Sequence, residues 1–281
     1  RNVMHDDSYP RVTASGVRVR DLSHQACLEK LVARMDYDAL RADVAYDHVS
    51  QMIMSGHQDT GTAEQRTIGA ATWTGVEQGD GGDIAIDDIS SATQWTRYSS
   101  SQNLGGFRRR VVSAAGATTL TQFPARTVLG GGATFVPQFV TPVEVNRVVP
   151  GRILLAGAND LYESLDKGDT ITALAWAKAA TAMVYGGVSG GVNNPALIYA
   201  LDGTDVYVRT AGSGPPTLVA APGGDLQDVA IDSADWQDAW VINSTGSVFA
   251  TTNAGASWTN VTGNLGSGAT SLRTIAFLPG P

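Results

Sequence analysis

The sequence is poor in cysteine and in long apolar runs. Cys27 is the only cysteine among 281 residues, so no disulfide can form within the chain and a small disulfide-stapled scaffold is excluded. Secretion is not excluded, because a domain of this length can bury enough apolar surface to fold without disulfides. No apolar run reaches the length that crosses a bilayer as a helix, so we expect no transmembrane segment.

Charged residues are also scarce, and the acidic residues outnumber the basic ones. Charged residues make up 16% of the chain, the formal net charge is −8 and the sequence pI is about 4.9. An acidic surface repels phosphate backbones, so we expect no nucleic-acid partner. The only dense basic cluster is Arg108-Arg109-Arg110, which we interpret as an edge strand with solvated charges.

The N-terminal region, residues 1–43, has the weakest pattern. Alternation in Arg11–Thr13 and Gly16–Arg20 predicts short strands, and apolar spacing through Ser23–Met35 predicts a short helix. The region could form part of a blade that closes a ring. The chain begins at Arg1 without an initiator Met or a charged-then-apolar leader, so we expect a fragment of a larger protein.

What the sequence has in abundance is turn residues between short apolar runs. It contains 32 glycines, and Ser, Thr, Asn and Asp crowd the gaps. This composition is typical of many short strands joined by tight turns, which predicts an all-β fold.

A strand–turn–strand unit recurs at propeller-blade spacing. Tyr162, Tyr207 and Phe249 end equivalent apolar runs 45 and 42 residues apart, each after a second apolar run and a polar turn. Repeats of this length predict a β-propeller of five or six four-stranded blades over residues 44–281, or seven if the chain is truncated. The hairpins would centre near residues 55, 100, 158, 203 and 245, with equivalent buried positions at Leu154, Leu197 and Val241.

Two further segments bear on the ring. Residues 114–150 contain four prolines and Gly130-Gly131-Gly132, and we interpret them as a long loop between blades that could carry function. The alternating residues Arg273–Leu278 predict a last strand, which would pair with N-terminal residues and leave the ring without a free edge.

The repeated unit resembles the Asp-box, or bacterial-neuraminidase-repeat, propeller superfamily, whose members include sialidase-type and sortilin-type propellers. Its motif, Ser/Thr-x-Asp/Asn-x-Gly-x-Ser/Thr-aromatic, lies on the outer hairpin of a blade. The copy after Tyr207 has lost the motif. The residues that match are Ser164, Asp166, Gly168 and Thr170 in the first copy, with Ile171 in place of the aromatic, and Thr251, Asn253, Gly255, Ser257 and Trp258 in the second.

The motif residues serve a local structural purpose. The Asp or Asn accepts backbone N–H bonds within the turn, Gly adopts a conformation closed to other residues, and the aromatic packs the hairpin onto its blade. We therefore interpret the matching residues as structural and not catalytic. Because the superfamily contains both enzymes and receptor ectodomains, the resemblance does not fix an activity.

Two polar loops are the first candidates for a ligand site. His57–Gly61 and Gly79–Gly82 resemble loops of sortilin-like members. Polar loops from neighbouring blades can converge near the central opening of a propeller, and the segment that carries Glu144, Asn146 and Arg147 could fold over the same mouth. The predicted ligand-binding residues are His57, Gln58, Asp59, Asp80 and Arg147.

Catalysis would require paired carboxylates across a groove. Asp59 and Asp80 form the best pair, with Glu144 as a third candidate; alternatively, Asp59 and Asp80 cap turns beside glycine. The Phe/Tyr-Arg-Ile-Pro signature of sialidases is absent from the sequence. No cofactor is required by the sequence. No second His lies at a metal-ligand spacing from His57, and calcium could bind acidic turns at Asp80, Asp83, Asp87 and Asp88, unless these are solvated turn acids.

Two functions remain open. The first is a non-catalytic propeller of a secreted or cell-surface protein, serving as a binding or scaffold module for a protein or carbohydrate ligand. The alternative is a glycoside hydrolase of the Asp-box group that acts on extracellular polysaccharide.

Overall fold

A computed structural model describes residues 11–12, 18–19, 45–47, 52–57, 59–66, 71–131, 134–267 and 271–277. The chain divides into two compact units, residues 1–41 and 42–281. In the first unit β1 (Arg11–Val12) pairs antiparallel with β2 (Arg18–Val19), within the two segments where alternation predicted strands. The helix predicted over Ser23–Met35 lies outside the described residues, as does Gln58.

The described residues of the second unit form five sheets, and each sheet contains four strands that pair antiparallel in chain order. The first two sheets, blades one and two, cover residues 45–77 and 85–122. Their strands are β3 (Ala45–Asp47), β4 (Met52–His57), β5 (Gly61–Glu64) and β6 (Thr74–Glu77), then β7 (Ala85–Asp87), β8 (Gln94–Ser101), β9 (Gly105–Ser113) and β10 (Thr118–Gln122).

Blade three carries an additional outer strand, β11 (Thr127–Val128), which pairs in parallel with β15. The other strands of blades three, four and five follow the same antiparallel order. They are β12 (Val143–Val145), β13 (Ile153–Ala156), β14 (Leu161–Ser164) and β15 (Thr170–Ala173); β16 (Ala182–Ser189), β17 (Val192–Leu201), β18 (Val206–Arg209) and β19 (Thr217–Leu218); β20 (Leu226–Ile231), β21 (Ala239–Asn243), β22 (Val248–Thr251) and β23 (Thr259–Asn260).

The first strands of neighbouring blades lie beside one another. β3 contacts β7, β7 contacts β12, β12 contacts β16 and β16 contacts β20. The first strand of each blade is therefore its innermost strand and the fourth is its outermost. This radial order of four-stranded meanders confirms the predicted all-β propeller fold.

Antiparallel order also divides the loops between two faces. Turns between second and third strands, such as residues 59–60 and 202–205, lie at the same ends of the strands as the connections between blades, such as residues 78–84. We call this the upper face. Turns between first and second strands and between third and fourth strands, such as residues 165–169, form the lower face.

The apolar core lies mainly between blades. One cluster joins Tyr98 and Phe107 of blade two to Ile153 and Tyr162 of blade three, and similar clusters join blade three to four and four to five. Because each blade buries its faces against its neighbours, the sheets depend on one another for stability.

The predicted burial of Leu154, Leu197 and Val241 is confirmed, since all three have 0% exposure. Their predicted equivalence is wrong. The residues opposite Tyr162, Tyr207 and Phe249 are Leu155, Ala200 and Val241. The second strands differ in length and in their turns, so spacing along the sequence does not preserve register.

The interpretation of residues 114–150 as one long loop is wrong in part. They contain β10, β11 and β12, and only residues 129–142 form a long connection. β10 is exposed along its whole length, so it lacks the apolar alternation that marks a half-buried strand. The predicted last strand is also not observed, because residues 271–277 belong to no strand.

The interpretation of Arg108–Arg110 as solvated edge charges is wrong. They lie on β9, between β8 and β10, and Arg109 and Arg110 are only 9% and 6% exposed. Arg109 Nη2 lies 2.9 Å from Asp169 Oδ2 of blade three, and Arg110 Nη1 lies 3.6 Å from Glu64 Oε2 of blade one. The arginines thus join blade two to both of its neighbours.

Two buried acids anchor arginines of the next blade. Glu64 on β5 accepts a 2.7 Å hydrogen bond from Arg97 on β8, and both side chains are almost completely buried. Glu163 on β14 accepts hydrogen bonds from Arg209 of blade four at 2.8 Å, from Arg152 at 2.7 Å and from the Tyr185 hydroxyl. Because ions need partners away from water, these clusters fix how adjacent blades dock.

Candidate functional site

The first matching turn, residues 164–170, closes the hairpin between β14 and β15 on the lower face. Ser164 Oγ donates to Asp166 Oδ1 at 2.9 Å and accepts the Gly168 N–H at 2.8 Å. Thr170 donates its N–H and its hydroxyl to the two Asp166 oxygens at 2.8 and 2.7 Å. These bonds hold the pKa of Asp166 below its usual value, although burial opposes them.

The second matching turn, residues 251–258, has the same bonding pattern between β22 and β23. Thr251 Oγ1 donates to Asn253 Oδ1 at 2.8 Å and accepts the Gly255 N–H at 3.0 Å, and Asn253 Oδ1 accepts the Ser257 N–H at 3.0 Å. Gly168 and Gly255 have φ values of 92° and 84°, a region that glycine enters without steric cost.

The aromatic position differs between the two turns. Trp258 is half-buried, and its Nε1 donates to the Ala220 carbonyl at 2.6 Å, so it packs on the segment that follows β19 of blade four. Ile171 is fully buried in the cluster between blades two and three. The Ser/Thr and Asp/Asn side chains of both motifs form hydrogen bonds within their own turns, which fits the structural role expected for them.

Asp59 and Asp80 do come together on the upper face, but in one turn contact. Asp80 Oδ1 accepts the Asp59 N–H at 2.7 Å, and the Asp80 N–H donates to Gln102 Oε1 at 3.0 Å. Asp59 has a φ of 66° and is exposed, as is His57 at the end of β4. This contact fits the alternative in which Asp59 and Asp80 cap turns beside glycine.

A cavity of about 480 Å³ lies among the innermost strands; we call it the central cavity. Its polar side chains come from blades two to five and from the segment 271–277. They are Asp83, Glu144, Arg147, Thr181, Gln227, Asp228, Arg273 and Thr274.

Two acids of the central cavity occupy equivalent positions. Asp83 Oδ1 accepts the next N–H, from Ile84, at 2.9 Å, and its Oδ2 accepts the Val143 N–H of the next blade at 2.8 Å. Asp228 repeats both contacts, with Val229 at 2.8 Å and Ile275 at 2.9 Å. Burial raises the pKa of Asp83 to about 6, and Asp228 nearby adds to the rise.

Glu144 lies on β12 and not on a loop as expected from the sequence. Among the described residues, no donor forms a hydrogen bond with its carboxylate. Burial raises the pKa of Glu144 to about 8, the Asp83 and Asp228 charges contribute to the rise, and Arg147 opposes it. Part of the side chain still contacts the cavity space, so at neutral pH Glu144 can present a protonated carboxyl group to a ligand.

A second cavity of about 350 Å³ adjoins the central cavity on the upper face; we call it the mouth cavity. Asp83, Ile84 and Val140 line both cavities, and Asp80 lines the mouth alone. Phe139 and Val140, from the connection 129–142, are 53% and 49% exposed there. The Phe139 carbonyl accepts the Asn103 N–H at 2.8 Å, which fixes this connection on blade two.

The structure thus brings together only some of the predicted site residues. Glu144 and Arg147 line the central cavity, Asp80 lines the mouth cavity, and His57 and Asp59 line neither. Asp228 and Phe139 were missed by sequence reasoning. The pattern Asp-Ile-Ala-Ile-Asp at 83–87, repeated as Asp-Val-Ala-Ile-Asp at 228–232, is a signal that could have identified the two equivalent acids.

The acidic turn residues do not form a calcium site. No cluster of three or more His, Cys, Asp or Glu side chains that could hold a metal occurs in the described part of the chain. The carboxylates of Asp83 and Asp87 instead accept backbone N–H groups, including Gly151 N–H at 2.8 Å from Asp87 Oδ2. No helix within the described ranges is both long and apolar enough to cross a membrane.

Comparison with known proteins supports the fold. No protein-family model and no curated protein matches the chain. A chain in the crystal structure of a nidogen/laminin complex is 14% identical, with a TM-score of 0.54, and the match covers 83% of this chain and 82% of that chain. An ancestral GH74 enzyme is 15% identical, with a TM-score of 0.46, and the match covers 63% of this chain and 23% of that enzyme. At 14% identity, the match to the chain of the nidogen/laminin complex shows only that the two chains share a fold.

Proposed function

We propose that the protein is a non-catalytic Asp-box propeller that binds a carbohydrate on its upper face, as a module of a secreted or cell-surface protein. The observation that carries the proposal is the central cavity and its mouth. Acids, arginines and an amide from three blades converge there around a site about the size of a small ligand pocket.

The chemistry of the cavity suits sugar hydroxyl groups. The Glu144 carboxyl group lacks a hydrogen-bond partner among the described residues, and Arg147 is exposed beside it. Polar groups of this kind can accept from and donate to the hydroxyls of one sugar ring. The exposed Phe139 at the mouth offers an apolar surface for the carbon face of a ring.

The membership in the Asp-box superfamily is supported by the two turns. Both place Ser/Thr, Asp/Asn and Gly in the same bonding pattern on the outer hairpin of a blade. The nidogen/laminin complex shows a propeller of similar topology in a protein assembly, so a protein ligand is the competing occupant of the upper face.

A second candidate function is glycoside hydrolysis, and one observation favours it. The pKa of Glu144 is raised to about 8 by burial, which would keep a general acid protonated at neutral pH. A hydrolase also needs a second carboxylate that stays ionised, and Asp83 and Asp228 both use their oxygens to accept backbone N–H groups. We therefore favour binding without cleavage.

The test is a panel of neutral oligosaccharides, namely cellohexaose, maltohexaose, xylohexaose and mannohexaose. We expect one of them to bind the wild-type chain by calorimetry, and Glu144→Gln to raise its Kd about tenfold, because an amide N–H is a weaker hydrogen-bond donor than the O–H of a protonated carboxyl group. Asp225→Asn, which changes an exposed carboxyl group outside the cavities, should leave Kd unchanged.

The same samples separate the candidate functions. Release of reducing ends by the wild-type chain, abolished in Glu144→Gln, would show a hydrolase and overturn the non-catalytic assignment. Absence of binding to every oligosaccharide in the panel would contradict the carbohydrate ligand.

A further inference from the structure

A third cavity lies on the upper face between blades one and two, away from the central cavity. It has a volume of about 580 Å³, and we call it the rim cavity. Glu77 at the end of β6 and Arg108 on β9 line it, together with the polar residues Thr60, Gln78 and Ser101. None of these residues lines the central cavity or its mouth.

The rim cavity contains a buried carboxylate with unused hydrogen-bonding capacity. Glu77 is 8% exposed, and its Oε1 forms an ion pair with Arg108 Nη2 at 3.0 Å. Within the described part of the chain, neither Glu77 oxygen has a hydrogen-bond partner, and both oxygens are buried. Buried polar atoms without a partner cost stability, and a ligand hydroxyl that reached this carboxylate from the cavity would offset that cost.

Arg108 is held beside the carboxylate by other contacts. Its Nε donates to the Gly106 carbonyl at 3.2 Å, and its guanidinium carbon lies 5.3 Å from the centre of the Phe123 ring. The guanidinium is therefore fixed with donors left over at the cavity wall. Glu77 can accept a hydrogen bond from one hydroxyl group, and Arg108 can donate a hydrogen bond to another. The two side chains therefore match two adjacent hydroxyl groups of one ligand.

The charge of the rim cavity favours a neutral ligand. Glu77 and Arg108 neutralise each other, and burial raises the pKa of Glu77 while the Arg108 and Arg110 charges and the Ser99 hydroxyl lower it. The cavity thus has no net charge with which to select an ammonium group or a carboxylate.

The backbone connects the rim cavity to the other two. Residues 77–86 run from the outermost strand of blade one to the innermost strand of blade two. In chain order they line the rim cavity at Glu77 and Gln78, then the mouth cavity at 80–84, then the central cavity at 83–86. The three cavities therefore follow one radial path over the upper face.

We propose that the rim cavity is a second binding site, in which Glu77 and Arg108 hold adjacent hydroxyl groups of a neutral oligosaccharide. It lies outside the site of the proposed function, and its test can fail while that function stands. A chain of several sugar units can follow residues 77–86 from the rim toward the centre, which a single ring cannot do.

The experiment measures the Kd of cellohexaose, maltohexaose, xylohexaose and mannohexaose for two rim variants. Glu77→Gln removes the carboxylate at nearly constant shape and is expected to raise Kd about tenfold for the oligosaccharide that binds. Gly75→Leu adds a bulky side chain at a residue that lines the cavity and where a Cβ meets nothing within 4 Å, and it should raise Kd at least as much.

The matched control is Gly214→Leu. A Cβ at Gly214 also meets nothing within 4 Å, but Gly214 lies after β18 on the lower face and lines none of the three cavities. We expect an unchanged Kd. If both rim variants bind the oligosaccharide as the wild type does, the proposal is overturned, even if Glu144→Gln weakens binding. If binding is weakened in the rim variants but not in Glu144→Gln, the proposal is supported and the role of the central cavity is contradicted. Binding of a lysine-containing peptide that depends on Glu77, with no oligosaccharide bound, would overturn the assigned ligand class.

Discussion

Replacing Glu163 by Gln is expected to lower the free energy of unfolding by about 3–5 kcal/mol, the range for breaking a buried ion pair. The Glu163 side chain is 9% exposed and that of its partner Arg209 is 3% exposed. The same oxygen, Oε1, also accepts from Arg152 and from the Tyr185 hydroxyl. The variant would leave two guanidinium groups without a counter-charge at the junction of blades three and four, and chemical denaturation measures the loss.

Lys178→Ala is the matched control for Glu163→Gln. Lys178 Nζ lies 2.6 Å from Asp202 Oδ2, but the Lys178 side chain is 41% exposed. Water screens such pairs, so we expect a much smaller loss than in Glu163→Gln. Equal losses in the two variants would show that the Glu163 cluster does not hold the blades together.

The second large effect is a pH-dependent gain of stability in Glu144→Gln. Burial raises the pKa of Glu144 to about 8 in the folded chain, from an ordinary value of 4.5. A carboxyl group whose pKa is raised by folding stabilises the folded chain at pH values below the pKa that it has in the unfolded chain. This stabilisation is lost as the pH rises toward the pKa that the group has in the folded chain. The wild-type chain should therefore lose this contribution between about pH 4.5 and pH 8, and the variant should not.

We expect Glu144→Gln to be about 2–3 kcal/mol more stable than the wild type at pH 8, and the difference to vanish near pH 4. The value is below what the full shift would give, because Glu144 keeps partial exposure to the cavity. Denaturation curves at several pH values measure the difference, with Asp225→Asn as a control for loss of one negative charge. A constant difference across this pH range would contradict the raised pKa.

The fold was predictable because its signal is repeated. Tyr162, Tyr207 and Phe249 recur at blade spacing, and the structure places each on the third strand of a blade. The turn at 164–170 could also be predicted, since the hydrogen bonds of its motif residues Ser164, Asp166 and Thr170 lie within seven consecutive residues. Local patterns of this kind are visible in a sequence because their energetics are local.

Contacts between blades could not be predicted in this way. The sequence pattern predicted surface positions for Arg109 and Arg110, because their partners Asp169 and Glu64 are distant in sequence and belong to other blades. β10 lacked apolar alternation because it is an exposed outer strand. A sequence pattern records burial along one strand, whereas these contacts depend on how separate sheets dock.

The candidate site likewise combines local contacts, which a sequence can indicate, with contacts between blades, which it cannot. The bond between Asp59 and Asp80 is a turn contact, which fits the glycines around them. Glu144 was named as a candidate, but its position on an innermost strand depends on how the blades pack against one another. Glu77 gave no signal, because its cavity is formed by two blades that meet only in the folded chain.

The central claim is that ligands bind the upper face along residues 77–86. Hydrogen–deuterium exchange with and without the oligosaccharide that binds most tightly in the panel tests it most directly. The account predicts slower exchange in residues 77–86 and 139–147, with no change in the lower-face turns at 165–169 and 252–258. Protection confined to those lower-face turns would contradict it.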